Sequence, residues 1–129
     1  MCNINNLLSV KISGIPYGKH KPRGDAEGAA KWTKSVIEQT KLLPKVTGSC
    51  KMKTTFLLPP DKFPKNLPYG PDLDNLLKRF FDALNTTIFS NVMGRDSAVV
   101  IIEAMKKKVN SVNDAGVELE LWALRNGGI

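Results

Sequence analysis

Residues 71–85 read PDLDNLLKRFFDALN, and this stretch decides the fold because it is the strongest helical pattern in the chain. Its apolar residues recur with helical spacing, which places them on one face of a helix that packs on the core. Those residues are Leu73, Leu76, Leu77, Phe80, Phe81 and Leu84. Pro71 and Asp72 provide the start signal, and we expect Asp72 to be an N-cap whose carboxylate accepts a backbone N–H.

Three carboxylates are candidates for one site. Asp72 and Asp74 stand at the positive end of this helix, with Lys78 one turn further on. Asp96 lies in a glycine-containing loop ahead of an apolar strand, and a strand beside the helix would bring Asp96 to the same corner. At an effective dielectric near 20, each carboxylate pair at about 4 Å costs roughly 4 kcal/mol, so such a cluster needs a cation. Oxygen ligands without His or Cys suit Mg²⁺.

An ordered set of motifs makes the chain similar to the RusA family of Holliday junction resolvases. The set comprises DLDNLLK at 72–78, FDAL at 81–84 and DSAVV at 96–100, together with GIP at 14–16 and KPR at 21–23 nearer the amino terminus. The motifs span most of the chain. Two departures are Arg95, where the family often has a second acid, and a longer loop at 86–94.

The resemblance implies a site and an activity. Asp72, Asp74 and Asp96 would bind Mg²⁺, for which Mn²⁺ is a candidate substitute, and Lys78 would be a further catalytic residue. The resemblance also implies a homodimer with two such sites. It would cut a four-way DNA junction by paired symmetric nicks in DNA recombination and repair.

The length and net charge of the chain restrict the class of protein to which it can belong. At 129 residues and 14.2 kDa, we expect a single domain spanning 1–129. The net charge of +7 favours a polyanionic partner, for which nucleic acid is the first candidate, with no membrane and no small-molecule substrate expected. Cys2 and Cys50 are too few for a disulfide scaffold, and no secretory signal is evident, so we expect a cytoplasmic protein.

Basic residues in three segments are candidates for contacts with DNA phosphates. They lie in a loop after the first strand, in a proline-rich loop at 59–71 and at the end of the third strand. These residues are Lys19, Lys21, Arg23, Lys62, Lys65, Lys106, Lys107 and Lys108.

The remaining patterns predict a small α+β domain with helices packed on a mixed β-sheet, in the order strand-helix-strand-helix-strand-strand. Strands are expected at 8–13, 46–58, 98–103 and 117–124, and a first helix at 25–42 with Trp32 in the core. Because a polar turn at 110–116 separates the last two strands, we expect them to pair as an antiparallel hairpin.

Two other interpretations fit the same residues. In the first, a RusA-like protein binds branched DNA but has lost or altered its nuclease activity, and Arg95 is the feature that suggests it. In the second, the chain is a basic structural nucleic-acid-binding protein, in which Asp72 and Asp74 are no more than helix-capping acids. Metal-dependent cleavage of a synthetic junction separates all three.

Overall fold

The computed structural model describes residues 4–18, 26–62 and 71–124. It contains two helices and four strands in the predicted order, with short 3₁₀ turns between them, so the α+β prediction is confirmed. The elements are β1 (Ile4–Ser13), α1 (Ala26–Thr40), β2 (Cys50–Leu58), α2 (Leu73–Leu84), β3 (Val99–Lys108) and β4 (Gly116–Leu124), and the turns are Pro60–Lys62, Arg95–Ala98 and Val112–Asp114.

The four strands form one mixed sheet in the order β1-β4-β2-β3. The predicted hairpin between β3 and β4 is wrong, because β2 lies between them and pairs with both. Met52 in β2 has Leu121 of β4 on one side and Ile102 of β3 on the other. The pairing of β2 with β3 is parallel, and the connection through α2 supplies the crossover that parallel neighbours need. Since β2 is largely buried it suits the centre, and the lysine-rich β3 suits an edge.

Aromatic rings join the helices to the sheet. Trp32 of α1 is 2% exposed, which confirms its place in the core. Its ring stacks on Phe80 of α2 with centroids 6.5 Å apart, and Phe56 of β2 meets Phe80 edge-on at 5.7 Å. Both helices therefore pack on the same face of the sheet.

Helix α2 buries a narrower face than its apolar spacing predicts. Leu76, Phe80 and Leu84 are fully buried, and Ala83 joins them, whereas the remaining three predicted residues are half-buried at the margin of the core. Those three are Leu73, Leu77 and Phe81.

The start of α2 differs from the prediction in its hydrogen bonds. Asp72 has the extended backbone of an N-cap, with φ −66° and ψ 139°, and its carbonyl accepts the first helical bond from the Leu76 N–H at 3.0 Å. Its side chain makes no capping bond. The carboxylate instead accepts from Asn75 Nδ2 at 3.5 Å. The expected carboxylate cap is therefore wrong, and the Asp72 carboxylate is exposed.

Element boundaries shift where neighbouring segments compete for the same backbone groups. Strand β2 begins at Cys50 and not at residue 46, because the Val46 N–H is already used by the Ile88 carbonyl at 2.9 Å. Helix α1 ends at Thr40, whose hydroxyl bonds the Thr87 hydroxyl at 2.8 Å. Asp25, the first residue of the predicted helix, lies outside the described residues. In the part of the chain that the structure covers, neither helix has the length and apolar composition of a bilayer-spanning segment.

Candidate active site

Helix α2 and strand β3 run in opposite directions, as two hydrogen bonds show, one at each end of the helix. At the start of the helix, Lys106 Nζ donates to the Pro71 carbonyl at 2.9 Å. At its end, Asn85 Nδ2 donates to Asp96 Oδ2 at 3.0 Å. The carboxyl end of β3 therefore lies beside the amino end of α2, and the Asp96 turn lies at the opposite end.

Asp72 and Asp74 are both exposed at the amino end of α2. Asp74 Oδ1 accepts the Asn75 backbone N–H at 2.9 Å, and the Asn75 side chain reaches Asp72. Asn75 thus links the two carboxylates to one turn of backbone. The unpaired N–H groups of the first turn make this the positive end of the helix dipole, which favours carboxylates here.

Lys78 is exposed on the turn after Asp74. Within the described parts of the chain, ion pairs join Lys41 to Glu38 at 3.0 Å and Lys51 to Glu103 at 3.3 Å. The possible surface ion pair between Asp74 and Lys78 is therefore not formed. The Lys78 ammonium is available for a bound phosphate.

Asp96 is half-buried in a tight turn. Gly94 and Arg95 both have left-handed backbone, with φ of 79° and 50°. The Arg95 N–H donates to the Val92 carbonyl and the Ser97 N–H to the Gly94 carbonyl, each at 3.0 Å. A non-glycine residue at positive φ is strained, and such residues concentrate at functional sites. The turn holds the Asp96 carboxylate against Asn85.

The expectation that one chain gathers all three acids at a single corner is wrong. From residue 72 to residue 85 the helix rises about 20 Å, and allowing for side-chain lengths leaves the carboxylates of Asp72 and Asp96 at least about 10 Å apart. Across residues 4–18, 26–62 and 71–124, no three acidic, histidine or cysteine side chains lie close enough to hold one metal ion. The cause is the direction of β3, which carries the chain back towards the start of α2 after Asp96.

The predicted DNA-contacting lysines are described in part. Lys107 and Lys108 are exposed at the end of β3, whereas Lys106 is half-buried and bonded to Pro71. Lys19, Lys21, Arg23 and Lys65 lie outside the described residues, and of Lys62 the structure describes the backbone alone, in the Pro60–Lys62 turn.

The loop after β1 packs on the amino end of α2, which the sequence did not indicate. A Cβ added at Gly18 would stand 3.1 Å from Pro71 Cβ and 3.6 Å from Asn75 Cβ, so the Gly18 backbone lies against the first turn. The Arg79 guanidinium lies 5.7 Å from the Tyr17 ring centroid and supports the same contact. Gly18 is the last described residue before the basic segment, and it therefore lies close to the turn that carries Asp72 and Asp74.

Sequence reasoning also missed Asn85 and Lys106 as positioning residues. Asn85 closes the helical stretch without a signal for a contact with an acid, and Lys106 belongs to a run of three lysines that were all predicted to contact DNA. Their partners, Asp96 and Pro71, are 11 and 35 residues away in the sequence, and no local pattern links them.

Comparison with known proteins identifies the family. Residues 18–121 match the family model described as Endodeoxyribonuclease RusA. No curated protein matches the chain. The matched range contains α1, α2, β2, β3 and most of β4, together with Asp72, Asp74, Lys78 and Asp96. The chain therefore belongs to the RusA endodeoxyribonuclease family, and its class of activity is that of a nuclease acting on DNA.

Proposed function

We propose that this protein is a Mg²⁺-dependent, structure-selective endodeoxyribonuclease that resolves four-way DNA junctions by paired symmetric nicks, as a homodimer, in recombination and repair. The observation that carries the proposal is the amino end of α2. Two exposed carboxylates stand there, and the Lys106 ammonium lies beside them on Pro71. Gly18, which precedes the basic segment in the sequence, packs against the same turn.

The donor set fits a hard divalent cation. Asp72 and Asp74 offer carboxylate oxygens, and the bulk of a Mg²⁺ shell can remain water and substrate phosphate. Asp72 and Asp74 would hold the ion at the amino end of α2. Because Asp96 lies at the opposite end of the helix within one chain, Asp96 of the partner subunit in the proposed homodimer would complete the ligand set. When bound, it would polarise the scissile phosphate and make the attacking water more acidic. Mn²⁺ has the same preference for six oxygen ligands and serves as a substitute.

Other residues of the chain would neutralise charge, contact the DNA and position the Asp72 carboxylate. Lys78 projects one turn beyond Asp74 and carries no ion pair to it, so its ammonium can neutralise charge that develops on the phosphate. Lys107 and Lys108, exposed at the end of β3, would contact phosphates of the DNA backbone near the amino end of α2. Asn75 ties the Asp72 carboxylate to the first turn of α2.

Single-turnover cleavage of a synthetic four-way junction tests this function. We expect Mg²⁺ or Mn²⁺ to support paired nicks in the junction, with no cleavage in chelator and much slower cleavage of a linear duplex of the same sequence. Junction binding should persist in chelator, because phosphate contacts do not need the metal. Tight binding without cleavage under any divalent metal would instead support a RusA-like DNA-binding protein that has lost its nuclease activity.

A further inference from the structure

A cleft lies between the loop that follows β1 and the first half of α1, and the Pro60–Lys62 turn contributes to its lining. Its volume is about 930 Å³, within the range of about 300–1,000 Å³ that is usual for small-molecule sites. The residues that matter for its chemistry are Gly14, Ile15, Tyr17, Lys31, Lys34 and Asp61. None of the acids assigned to the candidate active site is among the described residues that line it, so the cleft is a separate feature.

Hydrogen bonds fix the β1 side of the cleft to α1. The Ser13 N–H donates to Gln39 Oε1 at 2.9 Å, and the Ser13 carbonyl accepts from Gln39 Nε2 and from Ser35 Oγ, each at 2.8 Å. Gly14 has a φ of 134°, and a Cβ added to it would stand 3.1 Å from the Trp32 ring, so only glycine lets the chain cross this ring. The walls are therefore formed before any ligand binds, which lowers the entropic cost of binding.

The lining combines an apolar surface with charges of both signs. Ile15 is 42% exposed and offers an apolar surface on which a flat ring can lie. Lys31 and Lys34 are exposed and lie one turn apart on α1, and Asp61 is exposed in the turn after β2. Within residues 4–18, 26–62 and 71–124, none of these three charged side chains forms an ion pair. All three are therefore available to a ligand.

We propose that this cleft binds one unpaired nucleotide of the branched DNA substrate, with the base between Ile15 and Asp61 and the phosphate on Lys31 and Lys34. The inference rests on the proposed function, because the nucleotide belongs to the DNA that the protein would cut. It adds a contact that depends on the identity of a base, which phosphate contacts alone do not provide.

A nucleotide matches this arrangement of charges. Its phosphate is an anion for two ammonium groups, its base is a flat ring, and the edge of the base carries hydrogen-bond donors for a carboxylate. An acidic peptide would be repelled by Asp61, and a basic peptide by the two lysines. A carboxylate only accepts hydrogen bonds. It therefore favours guanine, which offers two adjacent N–H donors, over thymine, whose single N–H lies between two carbonyl oxygens.

Tyr17 connects the cleft with the candidate active site. It lines the cleft, and the Arg79 guanidinium of α2 lies 5.7 Å from its ring centroid. The next residue, Gly18, packs against Pro71 and Asn75 at the amino end of α2. A DNA strand with a phosphate at that end of α2 can therefore place a nearby nucleotide in the cleft. Taking a base out of the stack costs least where the base is already unpaired, which favours nucleotides beside a branch.

Amide NMR of the metal-free protein, titrated with dGMP or dTMP, tests the cleft without cleavage. We expect dGMP to shift the amide signals of Gly14, Ile15 and Lys34 and to leave that of Asn110, in the turn before β4, unchanged. The affinity for dTMP should be lower by about fivefold or more, because a good bidentate contact discriminates between bases at least that strongly. Absence of binding in the cleft, or equal affinity for the two mononucleotides, would overturn the proposal.

Substitution of Asp61 tests the position of the base. Asp61→Asn should reduce the ratio of dGMP to dTMP affinity by about fivefold or more, because an amide donates as well as accepts and no longer favours two donors. Asp114→Asn is the matched control, since Asp114 is an exposed acid in another 3₁₀ turn and does not line the cleft. The same ratio in Asp61→Asn and in wild type would show that Asp61 does not contact the base.

Substitution of the two lysines tests the position of the phosphate. Lys31→Gln/Lys34→Gln should weaken dGMP and dTMP equally, by about threefold or more, and should leave the affinity for deoxyguanosine, which lacks the phosphate, unchanged. Lys11→Gln/Lys41→Gln removes the same charge at exposed positions outside the cleft lining and should alter none of the three affinities. An equal loss of affinity for deoxyguanosine would contradict the assignment of these lysines to the phosphate.

A variant that fills the cleft extends the test to DNA. Four-way junctions with one unpaired guanine or one unpaired thymine beside the branch are compared by gel shift in chelator and by single-turnover cleavage. Wild type should prefer the guanine junction by about fivefold or more in both assays. Ala30→Phe, at an exposed position that lines the cleft, should remove this preference, whereas Glu38→Phe, exposed on the same helix outside the cleft, should retain it. A preference that persists in Ala30→Phe would overturn the proposal.

These results separate the cleft from the proposed function. If wild type cleaves junctions but prefers neither base and binds no mononucleotide in the cleft, the nucleotide site is wrong and the proposed function stands. If dGMP binds in the cleft and the guanine junction is bound more tightly, but no junction is cleaved, the nucleotide site stands and the proposed function fails.

Discussion

Asn85, the C-cap of α2, donates a 3.0 Å hydrogen bond from Nδ2 to Oδ2 of Asp96, in the turn that precedes β3. This bond holds an acid of the candidate site at the end of α2 opposite to Asp72 and Asp74. It also joins the end of the helix to the start of the strand that follows it. We therefore expect both stability and activity to depend on this pair.

Replacing Asn85 with Ala should lower the free energy of unfolding by about 1.5–3 kcal/mol, because the variant cannot donate a hydrogen bond to the half-buried carboxylate. Urea denaturation measures the change. Asn110→Ala, the same substitution at an exposed position, should stay within about 0.5 kcal/mol of wild type. Equal effects at the two positions would show that the hydrogen bond to Asp96 contributes nothing to stability.

The Asp72→Asn substitution removes the negative charge with little change in side-chain shape, so it should separate the electrostatic role of Asp72 from its structural role. Because the Asp72 side chain makes no capping bond, the metal-free protein should lose no more than about 0.3–1 kcal/mol, from the weakened helix-dipole interaction. The single-turnover cleavage rate should fall by about a hundredfold or more, as for loss of a group that stabilises transition-state charge. Asp82→Asn, an exposed acid on the same helix, is the control. Retained cleavage in Asp72→Asn would remove Asp72 from the site.

Lys78→Ala should reduce the cleavage rate by more than about tenfold while junction affinity changes little. Its side chain is exposed and forms no ion pair with Asp74, so stability should stay within about 0.5 kcal/mol. Gel-shift titration and single-turnover cleavage on the same preparation measure both effects. Lys11→Ala, on β1 at the other edge of the sheet, should change neither. An unchanged cleavage rate would show that Lys78 is a surface residue without a catalytic role.

Lys107 and Lys108 should contribute to binding by neutralising DNA phosphates. A Lys107→Gln/Lys108→Gln variant should make the log–log salt slope of junction binding less negative by about 0.9 for each phosphate that it no longer neutralises. Lys11→Gln should leave the slope unchanged. Lys106→Gln should also destabilise the start of α2, because Lys106 is bonded to Pro71. A slope that is the same in the double variant and in wild type would exclude this surface from the DNA interface.

Cys50 should make stability fall at alkaline pH. Burial raises the pKa of the Cys50 thiol from 9.0 to about 11. Between these values the unfolded thiol loses its proton while the folded thiol keeps it, so unfolding releases a proton and its free energy decreases as pH rises. Urea titrations from pH 8 to 11 in a Cys2→Ser background measure the slope. Cys50→Ala should have a shallower slope, and an equal slope would assign the effect to other groups.

Local patterns predicted much of this fold. The spacing of Leu76, Phe80 and Leu84 specifies α2 to within a residue at each end, because a helix is built from contacts three and four residues apart. The alternation of Val117, Leu119 and Leu121 likewise specifies β4. Family membership was also readable in advance, since the motifs at Asp72, Asp74 and Lys78 are short and ordered.

The partners of those elements were decided by the tertiary structure. Whether β4 pairs with β3 or with β2 depends on which strand buries both faces, and that is a property of the whole sheet. For the same reason, the sequence could name Asp96 as a candidate acid of the site but could not place it. The direction of β3 relative to α2, recorded by the Lys106–Pro71 and Asn85–Asp96 bonds, sets Asp96 at the far end of the helix. Composition and periodicity determined the elements and the chemistry available, and long-range packing determined which residues meet.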